Sequence, residues 1–205
     1  MIGLLVKDFL NLKKQAKTYL ILLLFYFILG IANENATMFS AMMAMVAAMA
    51  PITAMAYDER SKWDRYALTM PISRFNIVVS KYILGLIFLI IAFAITMLFS
   101  LIFSNLNLSE NILSSLAILS VGIIVISVIF PILFKFGVEK GRILMMIALF
   151  APTGIIVLLS KLGLEIPAVN EEILKLLIYL SPVFALVLFA ISVLISLSIY
   201  KNKEF

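Results

Sequence analysis

Cysteine and histidine are both absent from this 205-residue chain. Without cysteine it has no disulfide, no thiolate metal site and no cysteine nucleophile. Without histidine it lacks the commonest general base and the commonest metal ligand. An intramembrane protease would need a serine paired with a histidine, or two paired aspartates, and the sequence offers neither set. We therefore expect no catalytic residue and no metal site.

Charged residues are also scarce, at 13% of the chain, whereas 64% of the residues are apolar. This composition lies outside the range of soluble domains and predicts a protein that resides in a bilayer. No GxxxxGK[ST] phosphate loop occurs, so we expect that the chain does not bind ATP itself. No predicted span carries a clear mid-membrane ionisable residue, which weighs against a secondary carrier or channel.

The apolar segments predict an all-α integral membrane protein with a single transmembrane domain and no soluble domain. A chain of this length has room for about six spans of ~20 residues, and we place them at about 18–33, 36–56, 81–104, 112–134, 143–160 and 174–200. We interpret the first as a span rather than a signal peptide. Residues 1–17 predict an amphipathic interfacial helix with basic residues near anionic headgroups. Its apolar face is formed by Ile2, Leu5, Phe9 and Leu12, and its headgroup lysines are Lys13, Lys14 and Lys17.

The distribution of lysine and arginine gives the orientation. Fourteen of these residues fall in the N-terminal segment, in 57–81, in 135–142 and in the tail, whereas only Lys161 and Lys175 fall on the other side. We therefore expect a multi-pass protein of the plasma membrane with both termini in the cytoplasm.

The longest polar interruption, at 57–80, predicts a short amphipathic helix, a corner and the start of another helix. Trp63, Tyr66, Ala67 and Met70 follow the i, i+3, i+4, i+7 spacing of one helical face. The opposite face gathers Asp58, Ser61, Lys62, Arg65 and Thr69. Asp58 is predicted to cap the helix and to pair with Lys62, Pro71 to end the helix, and Ser73 to cap the next one.

Two interpretations of this region remain open at this point. In the first, it is a solvated loop whose aromatic side rests on lipid headgroups. In the second, it is a docking element whose apolar stripe packs on the spans while its charged face binds a soluble partner.

The run DER…WDRYALTMPISR…VVSKY, between the second and third spans, resembles the permease subunits of type-2 ATP-binding-cassette exporters. It is most similar to the small permeases for peptides, bacteriocins or drugs, such as the phenol-soluble-modulin exporters. The resemblance implies that 57–80 contains the coupling helix that contacts a separate ATPase subunit. The residues it implicates are Asp58, Glu59, Arg60, Lys62, Trp63, Asp64, Arg65, Tyr66 and Arg74, and the second cytoplasmic loop contributes Glu139, Lys140 and Arg142.

The same resemblance implies a dimer, formed with a second copy or a paralogue, that exports amphipathic peptides or hydrophobic small molecules. ATP and Mg²⁺ are then expected in the partner ATPase, so the chain itself is not an enzyme. The alternative is a non-transporting membrane protein, such as an immunity factor or a scaffold.

The second span is unusually rich in methionine and alanine. Small residues allow helices to approach closely in lipid, which favours an interior packing helix. Flexible methionine side chains also suit an adaptable path for apolar cargo. We expect Met42, Met45 and Met49 to line such a path if it exists.

Overall fold

The computed structural model describes residues 1–32, 36–103, 108–161 and 171–203. The predicted all-α class is confirmed, because these described residues form helices and no strand. In chain order the helices are α1 (Ile2–Lys13), α2 (Ala16–Ala32), α3 (Ala36–Arg60), α4 (Trp63–Thr69), α5 (Arg74–Phe103), α6 (Leu108–Lys161) and α7 (Glu171–Lys201).

The helices account for four or five membrane crossings by length and composition. Four described segments are long and apolar enough to cross a bilayer by themselves, namely Thr37–Arg60, Arg74–Phe103, Asn111–Ile147 and Leu176–Lys201. A fifth results if α1 and α2, which meet at a bend of 69°, are counted together. The predicted fourth and fifth spans both fall within α6, which is interrupted by a non-helical residue at Gly137.

Helix α1 packs against the bundle through a face that includes an aspartate. Its buried residues are Leu4, Asp8 and Leu12, whereas Ile2 is 80% exposed and Phe9 is 40% exposed. A carboxylate is rarely buried without a partner. The structure supplies that partner from α5, as described below.

Helix α3 lies at the centre of the bundle and packs against α5 and α6. Its alanines allow the close approach that the sequence predicted, since Ala47, Ala48, Ala50 and Ala54 are all buried. The contact between α5 and α6 is equally tight, because a Cβ on Gly122 would lie 2.7 Å from a methyl carbon of Leu89. The packing interpretation of the second span therefore holds for this side of α3.

The other side of α3 is not covered by this chain. Met45 is 66% exposed and Met49 is 54% exposed, while Met42 is half-buried. Met45 and Met49 therefore face away from the packed interior of one copy. Any cargo path that they line has to be completed by something else.

A hydrogen-bonded cluster joins α5, α6 and α7 within the bundle. The Tyr82 hydroxyl lies 2.6 Å from the hydroxyl of Ser192 and 2.7 Å from that of Ser196. Ser192 in turn donates to the carbonyl oxygen of Ser127 at 2.6 Å. Because a buried hydroxyl without a partner is costly, this cluster fixes how α5, α6 and α7 pack against one another.

Candidate functional site at the α4 end of the bundle

Helix α4 is separated from α3 by a tight turn at residues 61–62. Lys62 adopts a left-handed conformation, with φ 51° and ψ 35°, which ends α3 and redirects the chain. The N–H of Ser61 donates to the carbonyl of Tyr57 at 3.0 Å, and the N–H of Lys62 donates to that of Glu59 at 3.1 Å. These bonds satisfy carbonyls that the end of a helix otherwise leaves unpaired.

The C-terminal end of α4 agrees more closely with the sequence prediction. Met70 is extended because it precedes Pro71, and this ends the helix. The hydroxyl of Ser73 then accepts a hydrogen bond of 3.2 Å from the N–H of Asn76. The predicted cap on α5 is thus confirmed.

Helix α4 presents one face to the bundle and the other outward. Ala67 is fully buried, and Trp63 and Leu68 pack against the core. Tyr66 is 64% exposed and Met70 is 46% exposed, so the predicted apolar stripe is only half correct. The outward face also carries Lys62, Arg65 and Thr69, as predicted.

A buried cluster of four charges connects α1, α3 and α5 beneath α4. The Lys81 ammonium lies 2.7 Å from Asp8 Oδ2 and 2.6 Å from Asp58 Oδ2. Lys7 completes the cluster, at 3.0 Å from Asp8 Oδ1 and 2.5 Å from Asp58 Oδ1. Two positive and two negative charges balance, which makes their burial tolerable. We call these four residues the charge cluster.

The charge cluster corrects the predicted role of Asp58. The carboxylate belongs to the last turn of α3 and binds two lysines, so it neither caps α4 nor serves as an exposed docking residue. Lys7 also reaches α4, since its ammonium lies 4.5 Å from the centre of the Trp63 ring. Four helices are therefore held together through this one set of side chains.

Three further side chains hold the ends of neighbouring helices. Glu59 Oε2 accepts a hydrogen bond from the N–H of Val138, where α6 resumes after Gly137. Lys203 donates to the carbonyl of Phe134 at 3.0 Å, just before that break. Arg74 donates to the carbonyls of the last two residues of α7. A carboxylate thus meets a helix N-terminus, and cations meet two C-terminal ends, as the helix dipole favours.

Arg74, which the sequence predicts to contact a partner protein, is engaged within this chain. The residue is half-buried, and its guanidinium lies at the end of α7. It thereby holds α5 and α7 together.

Asp64 also faces inward, beside a small cavity of about 80 Å³. Burial raises the pKa of the Asp64 carboxyl above its ordinary value, although the nearby Tyr200 hydroxyl acts in the opposite direction. Asp58 and Lys203 line the same cavity. Asp64 is therefore part of the internal polar packing beneath α4.

The outward-facing charges gather around two adjoining cavities between α3 and α6. One, of about 240 Å³, is lined by Glu59, Arg60, Glu139 and Arg142. The other, of about 190 Å³, shares Arg60 and Arg142 and adds Gln15 and Tyr57. We call the two cavities together the charged groove. The structure thus brings the predicted second loop next to the end of α3.

A comparison with protein families decides the identity. The model of the ABC-2 family transporter protein matches residues 3–201, which is nearly the whole chain. The chain belongs to the ABC-2 transporter family. No curated protein and no solved structure matches it. The predicted resemblance to type-2 permeases is confirmed at the level of the family, and the chain is a multi-pass membrane protein of the ABC transporter class.

The structure sorts the predicted coupling residues of this ABC-2 permease into two groups. Those that point outward are Glu59, Arg60, Lys62, Arg65, Tyr66, Glu139, Lys140 and Arg142. Those that face the bundle are Asp58, Trp63, Asp64 and Arg74. In the second group, Asp58, Trp63 and Asp64 lie on the inner side of α4, and Arg74 joins α5 to α7.

Sequence reasoning missed the structural roles of Lys7, Asp8, Lys81 and Lys203. One signal was available for Lys81, which lies two turns inside the helix that Ser73 caps and stands among apolar residues. An ionisable side chain in such a place needs an opposite charge nearby. The position of Lys81 thus indicated that an acidic partner was needed, but the sequence did not identify Asp8 as that partner.

Proposed function

We propose that this ABC-2 permease is the membrane subunit of an ATP-driven exporter of peptide or hydrophobic cargo, and that α4 is its coupling helix. A separate ATPase subunit docks on the outer face of α4 and on the charged groove. ATP and Mg²⁺ bind in that subunit, and this chain has no catalytic role. The chain crosses the membrane six times, α6 crossing twice, with both termini on the cytoplasmic side.

The observation that supports this proposal is the two-sided character of α4. Its inner face is held by Trp63 and Ala67, and by the contact of Lys7 with the Trp63 ring. Its outer face leaves Arg65 and Tyr66 exposed, and the charged groove includes Arg60, the last residue of the preceding helix α3. A merely solvated loop would not need an inner face joined to the helices beneath it. An element that transmits force does need one.

Co-expression of the permease with a cognate ATP-binding-cassette ATPase tests this function. The chain purified alone is expected to hydrolyse no ATP, and the two proteins together are expected to form a stable complex on affinity purification. Repeated purification of the chain without any nucleotide-binding subunit, from membranes that contain one, would contradict the proposal.

The proposed orientation gives a first prediction. It can be tested by thiol labelling, because the native chain has no cysteine that would react. Single cysteines replacing Ser61 and Glu139 are expected to be shielded from an impermeant thiol reagent in intact cells. Cysteines at Asn107 and Val169 are expected to be labelled; both positions lie outside the described residues. Labelling of the Ser61→Cys variant in intact cells would show that the topology is the reverse of the proposed one.

The exposed methionine face of α3 gives a second prediction. We propose that a second permease copy or a paralogue completes the cargo path along this face, since one copy does not enclose it. Replacing Met42, Met45 and Met49 with leucine conserves volume, so the cost in stability is expected to stay below about 1.5 kcal/mol. Export is nevertheless expected to change, because leucine adapts less well to varied cargo.

The measurement is cargo export by the triple variant, with thermal unfolding as the check on folding. Met43→Leu is the matched control, because Met43 lies on the same helix but is buried. Unaltered export by the triple variant would show that these methionines do not line the cargo path and serve only in packing.

A further inference from the structure

The inside of the bend between α1 and α2 contains an apolar cavity at which four of the described helices meet. Its volume is about 410 Å³, which lies within the range of small-molecule pockets, roughly 300–1,000 Å³. Four helices contribute to its walls. Among the lining residues are Phe9 from α1, Leu23 from α2, Ala47 from α3 and Phe88 from α5.

The cavity follows from the bend and from the small side chains opposite it. The 69° angle between α1 and α2 opens a space that the two helices do not fill themselves. The opposing walls include Ala47 and Ala50 on α3 and Ala92 on α5, all of them buried, where larger residues would close the gap. An apolar space of this kind excludes water, so a hydrocarbon chain is the favoured occupant.

A positive charge stands at this otherwise apolar site. Lys13, in the last turn of α1, lines the cavity, and Lys14 and Lys17 follow directly after it. All three are exposed. Within the described ranges, Lys13, Lys14 and Lys17 take part in no ion pair with a carboxylate. Basic residues at the cytoplasmic interface attract anionic lipid headgroups.

We propose that the elbow cavity is a binding site for an anionic phospholipid of the inner leaflet. One acyl chain fills the space between α1, α2, α3 and α5, and the headgroup phosphate binds Lys13. The bound lipid contacts α1 at Phe9 and Leu12, and α1 is the helix that carries Lys7 and Asp8 into the charge cluster. This inference does not depend on what the permease transports.

Tryptophan fluorescence can report on this site, because the chain has a single tryptophan. The Nε1 of Trp63 has no hydrogen-bond partner among the described residues, so Trp63→Phe removes its signal without leaving a polar atom unpaired. Adding Phe88→Trp then places the reporter in the cavity wall, where residue 88 stacks on Phe9 at 5.6 Å. Phe184→Trp, on an exposed part of α7, serves as the control.

The full-length protein is reconstituted in phosphatidylcholine vesicles, and brominated phosphatidylglycerol or brominated phosphatidylcholine is added at equal mole fraction. At position 88 the brominated anionic lipid is expected to quench several-fold more strongly, and at position 184 both lipids are expected to quench equally. Lys13→Glu is expected to weaken the anionic preference by roughly tenfold. Lys17→Glu, on a lysine that does not line the cavity, is expected to change it much less.

Three results would overturn the inference. The first is equal quenching by both lipids at position 88. The second is an equal loss of preference in Lys13→Glu and Lys17→Glu, which indicates diffuse attraction to the surface rather than a site. The third is occupancy that appears or disappears with the ATPase and nucleotide, because the occupant is then cargo and not a resident lipid.

Discussion

Replacing Lys81 with methionine is expected to destabilise the permease by about 3–5 kcal/mol, the usual cost of removing one member of a buried ionic group. The substitution leaves Asp8 and Asp58 buried with Lys7 as their only remaining cation in the charge cluster. For a chain of this length we expect the thermal midpoint to fall by about 10 °C or more. Thermal unfolding of the purified protein in detergent measures the shift.

Two further variants separate charge balance from simple loss of a side chain. Lys17→Met removes an exposed lysine and is expected to cost less than about 1 kcal/mol. Combining Lys81→Met with Asp8→Asn removes one charge of each sign and leaves Lys7 opposite Asp58. This double variant is expected to be more stable than Lys81→Met alone. A midpoint for Lys81→Met equal to that of Lys17→Met would show that the charge cluster does not hold α1, α3 and α5 together.

Gly137→Ala is expected to reduce export at least tenfold while leaving more of the ATP hydrolysis intact. Gly137 has φ 78° and ψ 172°, a backbone conformation that is essentially restricted to glycine and costs another residue about 1–3 kcal/mol. A Cβ at this position would also lie 2.5 Å from Glu59 Oε1. The substitution therefore pushes away the carboxylate that holds the start of 138–161, and α3 loses its direct connection to that part of α6.

The alanine variant needs a control on the same helix and a test of the partner side chain. Gly154→Ala is the control, because a Cβ there meets no atom within 4 Å. Glu59→Ala is expected to reproduce the defect of Gly137→Ala, whereas Glu59→Gln keeps an acceptor for the Val138 N–H and is expected to be milder. Normal export by Gly137→Ala, measured alongside ATP turnover in proteoliposomes, would show that this contact does not transmit movement.

Helical periodicity predicted the outward residues of α4 better than its inward ones, for a physical reason. The prediction treated residues 58–70 as one continuous helix. In the structure Asp58 still belongs to α3, and the left-handed turn at Lys62 resets the rotation before α4 begins. Asp58 consequently points into the bundle while Arg65 points outward. A single left-handed residue leaves little trace in the sequence when it is not glycine.

Helix ends, which depend on neighbouring residues, were predicted more accurately than contacts between residues that are distant in the sequence. The Ser73 cap and the end of α4 before Pro71 depend on a few neighbouring residues, and both were predicted correctly. The pairing of Asp8 with Lys81 joins residues 73 positions apart, and Arg74 reaches the carbonyl of a residue 126 positions away. Spacing along one helix carries no information on such contacts, because they depend on how the helices assemble.

The most direct test of α4 as the coupling helix is the stability of the ATPase complex in the Arg65→Glu variant. Arg65 lies on the exposed face, so reversing its charge leaves the packing of Trp63 and Ala67 intact. If Arg65 pairs with an acidic group of the ATPase, the complex is expected to weaken by about 2–5 kcal/mol. Lys135→Glu, an exposed charge that does not line the charged groove, is the matched control. We predict that Arg65→Glu loses the complex while its thermal midpoint and membrane insertion match those of Lys135→Glu; an unchanged affinity for the ATPase would contradict the account.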